Sequence, residues 1–87
     1  MIVIPSNHFK KKVAKLSKKI KITLAERIQL FMSEPHHITL NNHPLHGSLR
    51  SYRSINITGD YRLIYEDYDV GIVRLIDIDT HSKLYSS

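Results

Sequence analysis

HGSLRSYRSINITGDYRLIYED, residues 46–67, holds two alternating apolar runs separated by a turn signal. Over 52–58, Ile55 and Ile57 fall on one side of an extended chain, and 61–66 supplies a second run built on Leu63, Ile64 and Tyr65. Gly59-Asp60 between them suits a tight reversal, so the stretch predicts a β-hairpin. The sequence Asp67-Tyr68-Asp69 predicts another turn, and 70–79, rich in Ile and Val, a third strand of the meander. Beyond it lies a short tail with His81 and Tyr85.

Working outward toward the N-terminus, 35–50 combines Asn, His, Pro and Gly with no sustained period, which predicts a loop with room for one turn of helix. Before it, Leu24, Ile28, Phe31 and Met32 form a helical apolar stripe, with Thr23 and Glu26 at capping-box spacing and Glu34-Pro35 as the stop. Phe9, Val13, Leu16 and Ile20 form an earlier stripe that Ser6 is placed to cap, and MIVIP reads as a strand. The stripes are only wide enough to pack on one face of a sheet. The predicted fold class is α+β, in the order β-α-α-β-β-β: a small, mainly antiparallel sheet with an N-terminal helical hairpin on one face. With 87 residues and no repeat or linker, 1–87 is expected to be a single domain.

The chain has no cysteine, so neither a disulfide nor a thiolate site is open to it. Its N-terminal apolar run is too short for a signal peptide and no stretch approaches a membrane span, which predicts a soluble, cytoplasmic protein without a membrane partner. The formal net charge is +5, concentrated at one end. Lys10, Lys11, Lys12, Lys15, Lys18, Lys19 and Lys21 all precede the first acidic residue, Glu26. Such a face attracts polyanions, or simply keeps a helix solvated. Lys11, Lys15 and Lys18 are the candidates for contact with nucleic acid.

His43, Asp60 and His81 stand near strand ends, where a meander can bring residues together. Arg53 and Arg62, expected on neighbouring strands, have the planar fork of donors that suits phosphate, and they also suit cross-strand pairing with Glu66 or Asp67. Tyr85, beside a histidine, is a candidate stacking surface for a base. None of the six histidines pairs at the i, i+4 spacing of helical metalloproteases and no cysteine supports them, so no metal or other cofactor is expected.

The segments HPLHGSLRSYRSINITGDYRLIYED and DIDTHSKLY together resemble the RelE and ParE superfamily of bacterial toxins, especially its YafQ-like messenger-RNA interferases. The order of elements agrees over essentially the whole chain. The resemblance implies a toxin of a type II toxin-antitoxin pair that enters the ribosomal A site, cuts the message, inhibits translation, and is silenced by a cognate antitoxin. It also implies a toxin-antitoxin complex that binds its own operator DNA through the antitoxin. The family's site residues fall on His43, Asp60, His81 and Tyr85. Where close relatives carry a further histidine, this chain has Asn56, an amide that can bind substrate but cannot take up a proton near neutrality.

Metal-independent cleavage needs a base for the 2′-hydroxyl, an acid for the departing 5′-oxygen and a cation for the transition state. The implied assignment makes His81 the proton donor, gives His43 and Asp60 base or orienting roles, lets Arg62 and then Arg53 hold the phosphate, and has Tyr85 stack on a base. Two other classes compete. A ParE-like inhibitor of DNA gyrase, or a nonenzymatic nucleic-acid-binding module, would have no chemical use for His43, Asp60 and His81 together.

Overall fold

Ser17 decides where the helical hairpin breaks. In the computed structural model, which describes residues 1–47 and 51–85, its side chain accepts a hydrogen bond from the Ile20 N–H at 3.3 Å and caps a helix over Lys18–Ser33, α2. The expected start at Thr23 is therefore interior to α2, and the Thr23 hydroxyl donates to the Lys19 carbonyl instead. The first helix, α1, spans Asn7–Ala14 and is capped by Ser6 as predicted, the Phe9 N–H donating to Ser6 Oγ at 3.1 Å. The stripe Phe9, Val13, Leu16 and Ile20 thus runs across two helices. Its three- and four-residue spacing passes unbroken through the connection at 15–17, so periodicity hides the break that the serine cap makes.

Among the described residues the sheet has five strands in the order β1-β5-β4-β3-β2. β1, Ile2–Pro5, lies parallel to β5, Ile72–Thr80; β4, Tyr61–Asp69, is antiparallel to both β5 and β3, Arg53–Asn56; and β2, His43–Pro44, adds a short antiparallel edge. β2 lies in what reads as a loop, a loop described only as far as Gly47 because 48–50 lie outside the described residues. The predicted single helical turn there is a 3₁₀ turn, Ile38–Leu40. The expected turn at Asp67-Tyr68-Asp69 is strand. Glu66 faces Arg74 across the ladder and pairs with it at 2.8 Å, and the Arg74 guanidinium lies 5.3 Å from the centre of the Tyr68 ring. These contacts keep the acidic segment extended, and the chain reverses at Val70-Gly71, where Gly71 takes the positive φ that glycine accepts most readily. The C-terminal tail is also structured, as a helix over His81–Tyr85, α3.

Side chains on a strand alternate between faces, and here the faces differ. Phe9 of α1 with Leu24 and Phe31 of α2 buries Ile55, Leu63, Val73 and Ile78. Ser54, Asn56, Arg62 and Ile64 point from β3 and β4 to the opposite face, where Tyr85 of α3 meets Ser54. No helix among the described residues is long and apolar enough to cross a membrane.

Candidate functional site

Asn41 ends the 3₁₀ turn in the left-handed region, φ 45°, a conformation that asparagine tolerates better than most residues. Its carbonyl lies 2.8 Å from His43 Nδ1. A carbonyl only accepts, so Nδ1 carries the hydrogen and the neutral ring presents its lone pair at Nε2.

Asn42 fastens this segment to the sheet. Its Nδ2 donates to the Pro35 carbonyl at 2.8 Å and to Tyr65 Oη at 2.7 Å, while its Oδ1 accepts from Arg53 Nε at 2.8 Å. Burial pushes the Tyr65 phenol above its ordinary range, against the opposing effects of the Asn42 hydrogen bond and the Arg53 charge. Arg53 stands opposite Tyr65 on the helix-covered face, whereas Arg62 stands opposite Asn56 on the other. The two arginines expected to share a phosphate are thus on opposite sides of the sheet, and Arg53 is spent on holding the His43 loop.

From the other side, α3 brings two aromatic groups. The His81 N–H donates to the Asp60 carbonyl at 2.8 Å, and one turn later the Tyr85 hydroxyl donates to the wholly buried Ser54 Oγ at 2.9 Å. The His81 and Tyr85 rings meet at 4.7 Å between centroids, inclined by 58°. Arg62 spreads over the β3–β4 turn, its guanidinium donating to the carbonyls of Thr58 at 3.0 Å, Tyr61 at 3.1 Å and Gly59 at 3.3 Å. Two of a guanidinium's five N–H donors are then left for another acceptor.

These elements enclose an open cleft of about 530 Å³. His43 and His46 line it from the loop, His81 and Tyr85 from α3, and Arg62 from β4. Of the expected residues, the structure therefore brings together His43, His81, Tyr85 and Arg62. Asp60 is exposed on the turn outside the lining, and it joins the site through its main-chain carbonyl. Asn56 is also outside the lining, and its Oδ1 is buried without a hydrogen-bond partner among the described residues. Lys11 near the end of α1, Lys15 after it and Lys18 at the start of α2 are exposed and do not line the cleft.

Lys12 belongs to a different arrangement. It reaches Asp79 at 2.7 Å and Asp77 at 3.2 Å, and His8 Nε2 approaches Asp77 at 3.1 Å. Hydrogen bonding to Lys12 holds the Asp79 carboxyl below its usual range. Burial lowers the Lys12 ammonium, but the bonds to Asp79 and Asp77 outweigh it and the net shift is upward. One lysine of the cationic cluster is thus neutralised within the fold. Among the described residues, no group of three or more His, Cys, Asp and Glu side chains is placed to hold a metal ion.

Sequence reasoning missed His46, Asn41 and Ser54. His46 carried a signal, three residues from His43 across a Pro-Leu step; Ser54 carried none, being one more small polar residue in a strand.

The family model described as bacterial toxin of type II toxin-antitoxin system, YafQ, matches residues 2–86. The chain is similar to the crystal structure of YafQ from E. coli strain BL21(DE3), with 26% identity, a TM-score of 0.80 and 97% of each chain covered. The crystal structure of the E. coli DinJ-YafQ toxin-antitoxin complex matches at 26% identity and TM-score 0.76, over 97% of this chain and 96% of the other. A YoeB/ParE toxin from Agrobacterium tumefaciens shares the fold at 18% identity and TM-score 0.78, over 93% of this chain and 99% of that one. No curated protein sequence matches the chain.

Proposed function

The chain belongs to the YafQ family of bacterial type II toxins, and from that premise we propose that its cleft cuts messenger RNA in the ribosomal A site, without a metal, in the cytoplasm. The observation that carries the reading is the pair of imidazoles that line one cleft, His43 from the loop with its neutral-ring lone pair at Nε2 and His81 from α3. His43 Nε2 takes the proton of the 2′-hydroxyl as that oxygen attacks the adjacent phosphorus. His81 protonates the 5′-oxygen as the P–O bond breaks, leaving a 2′,3′-cyclic phosphate upstream and a 5′-hydroxyl downstream. The free donors of Arg62 face the phosphate, and Tyr85, steadied by Ser54, stacks on a base. Lys11, Lys15 and Lys18 lie outside the cleft and extend the footprint onto ribosomal RNA.

The E. coli DinJ-YafQ toxin-antitoxin complex supports a cognate antitoxin for this chain, and operator binding would be the antitoxin's contribution. Single-turnover cleavage of ribosome-bound message in EDTA tests the reading. The parent should release a cyclic phosphate, and His81→Ala and His43→Ala should each slow cleavage by about 100- to 10,000-fold. A parent that leaves the message intact, or both variants cutting at the parental rate, would overturn it.

A further inference from the structure

The cleft is lined by a third imidazole, His46, which is exposed and has no hydrogen bond, ion pair or ring contact among the described residues. Building on the endoribonuclease reading, we propose that His46 is a catalytic residue that binds the scissile phosphate as an imidazolium.

In-line attack by the 2′-oxygen raises the charge on the nonbridging phosphate oxygens from one negative unit toward two, so the transition state gains from a second cation. His43 and His81 are occupied with proton transfer. Arg62 supplies one positive charge, with three of its hydrogen bonds committed to turn carbonyls. No lysine lines the cleft, and the Tyr85 hydroxyl is engaged with Ser54. Among the described residues that line the cleft, His46 is the ionisable group that remains, and neither of its ring nitrogens has a partner there. In its charged form each carries an N–H that donates to a nonbridging oxygen without accepting a proton in the step. Asn56, outside the cleft lining, cannot serve, because an amide has no charged form near neutrality.

This role marks the pH profile. A site that works best with His81 and His46 both protonated loses two protons on its alkaline side, so the rate there falls with a slope that approaches two before the slower path without a charged His46 takes over. The test is single-turnover cleavage of ribosome-bound message by the full chain across pH 5 to 9, comparing parent, His46→Ala and His46→Lys. His46→Ala should lose about 100-fold, the effect of removing one charge-stabilising donor, and its alkaline limb should relax to a slope of one. His46→Lys should recover most of that rate and also show a slope of one, since an ammonium stays charged throughout the window. His46→Ala with the parental rate and slope, or His46→Lys as slow as His46→Ala, overturns the assignment to His46 while leaving the endoribonuclease reading intact. A parent that does not cleave overturns both.

Discussion

On the face of the sheet that the helical hairpin covers, Ile55, Leu63 and Ile78 are wholly buried, whereas the face bearing Asn56 and Arg62 lies beside an open cleft and a helix of five residues. The same strands build both. On the covered face even the polar group is turned to support, as Arg53 shows by donating to Asn42. On the open face Arg62, from the neighbouring strand, keeps donors for a ligand. The chemistry of the guanidinium is identical, and the parity of its position decides its work.

Truncation at the centre of each face should expose that division most strongly. Phe31 is 1% exposed and meets Tyr65 edge-on at 4.7 Å, so Phe31→Ala should cost about 3–5 kcal/mol, a large part of the stability of a domain this small. His43→Ala should shift the urea midpoint little while removing cleavage. Equal losses of stability from the two changes would erase the distinction between the faces.

That distinction was largely legible in the sequence, because apolar residues at period two mark the covered face and leave the polar alternates for the other. The β3–β4 hairpin, the Ser6 cap and the helical hairpin followed from such local patterns. Its second turn did not, because Asp67-Tyr68-Asp69 has turn composition and stays extended through Arg74, a residue of the next strand. His43, His81, Tyr85 and Arg62 were recognisable as chemistry and do share the cleft. The separation of Arg53 from Arg62 needed the register of β3 on β4, which places Arg53 opposite Tyr65 and Asn56 opposite Arg62. No local pattern announces that pairing, and none announces Asn42 as the residue that joins the loop to the sheet.

Each face also has its own polar anchor. Asn42→Ala strips the partners from the Tyr65 hydroxyl and from Arg53 Nε, and should cost about 1–3 kcal/mol while slowing cleavage through a looser His43 loop. On the other face, Ser54→Ala leaves the Tyr85 hydroxyl without its acceptor, and Tyr85→Phe leaves the buried Ser54 hydroxyl without its donor. Each should cost about 1 kcal/mol, and the double change should recover part of the loss, since removing both members of a buried pair is nearly neutral. Strict additivity in urea unfolding would mean that the bond does not order α3.

The smallest effect belongs to the Lys12 contacts, and it is visible only as a dependence on pH. The Lys12 and Asp79 side chains are 27% and 20% exposed, so solvent screens the pair and it should contribute under about 1 kcal/mol near neutrality. Asp79 titrates below its ordinary 3.8 in the folded chain, so its share of stability is present above 3.8 and is lost as the pH falls through the folded value. Lys12 titrates above its ordinary 10.5, so its share is present below 10.5 and is lost as the pH rises through the folded value. Between those limits the contribution should be flat. Lys12→Met removes the largest cause that depresses Asp79, leaving the Thr80 N–H and the Lys83 charge, so its urea stability should fall less steeply than the parent's below pH 3.8. The cleft should be indifferent, because neither Lys12 nor Asp79 lines it. Coincident stability curves for parent and Lys12→Met on the acid side would show that the pair does not hold α1 to β5, and a changed cleavage rate would show that the two regions are coupled after all.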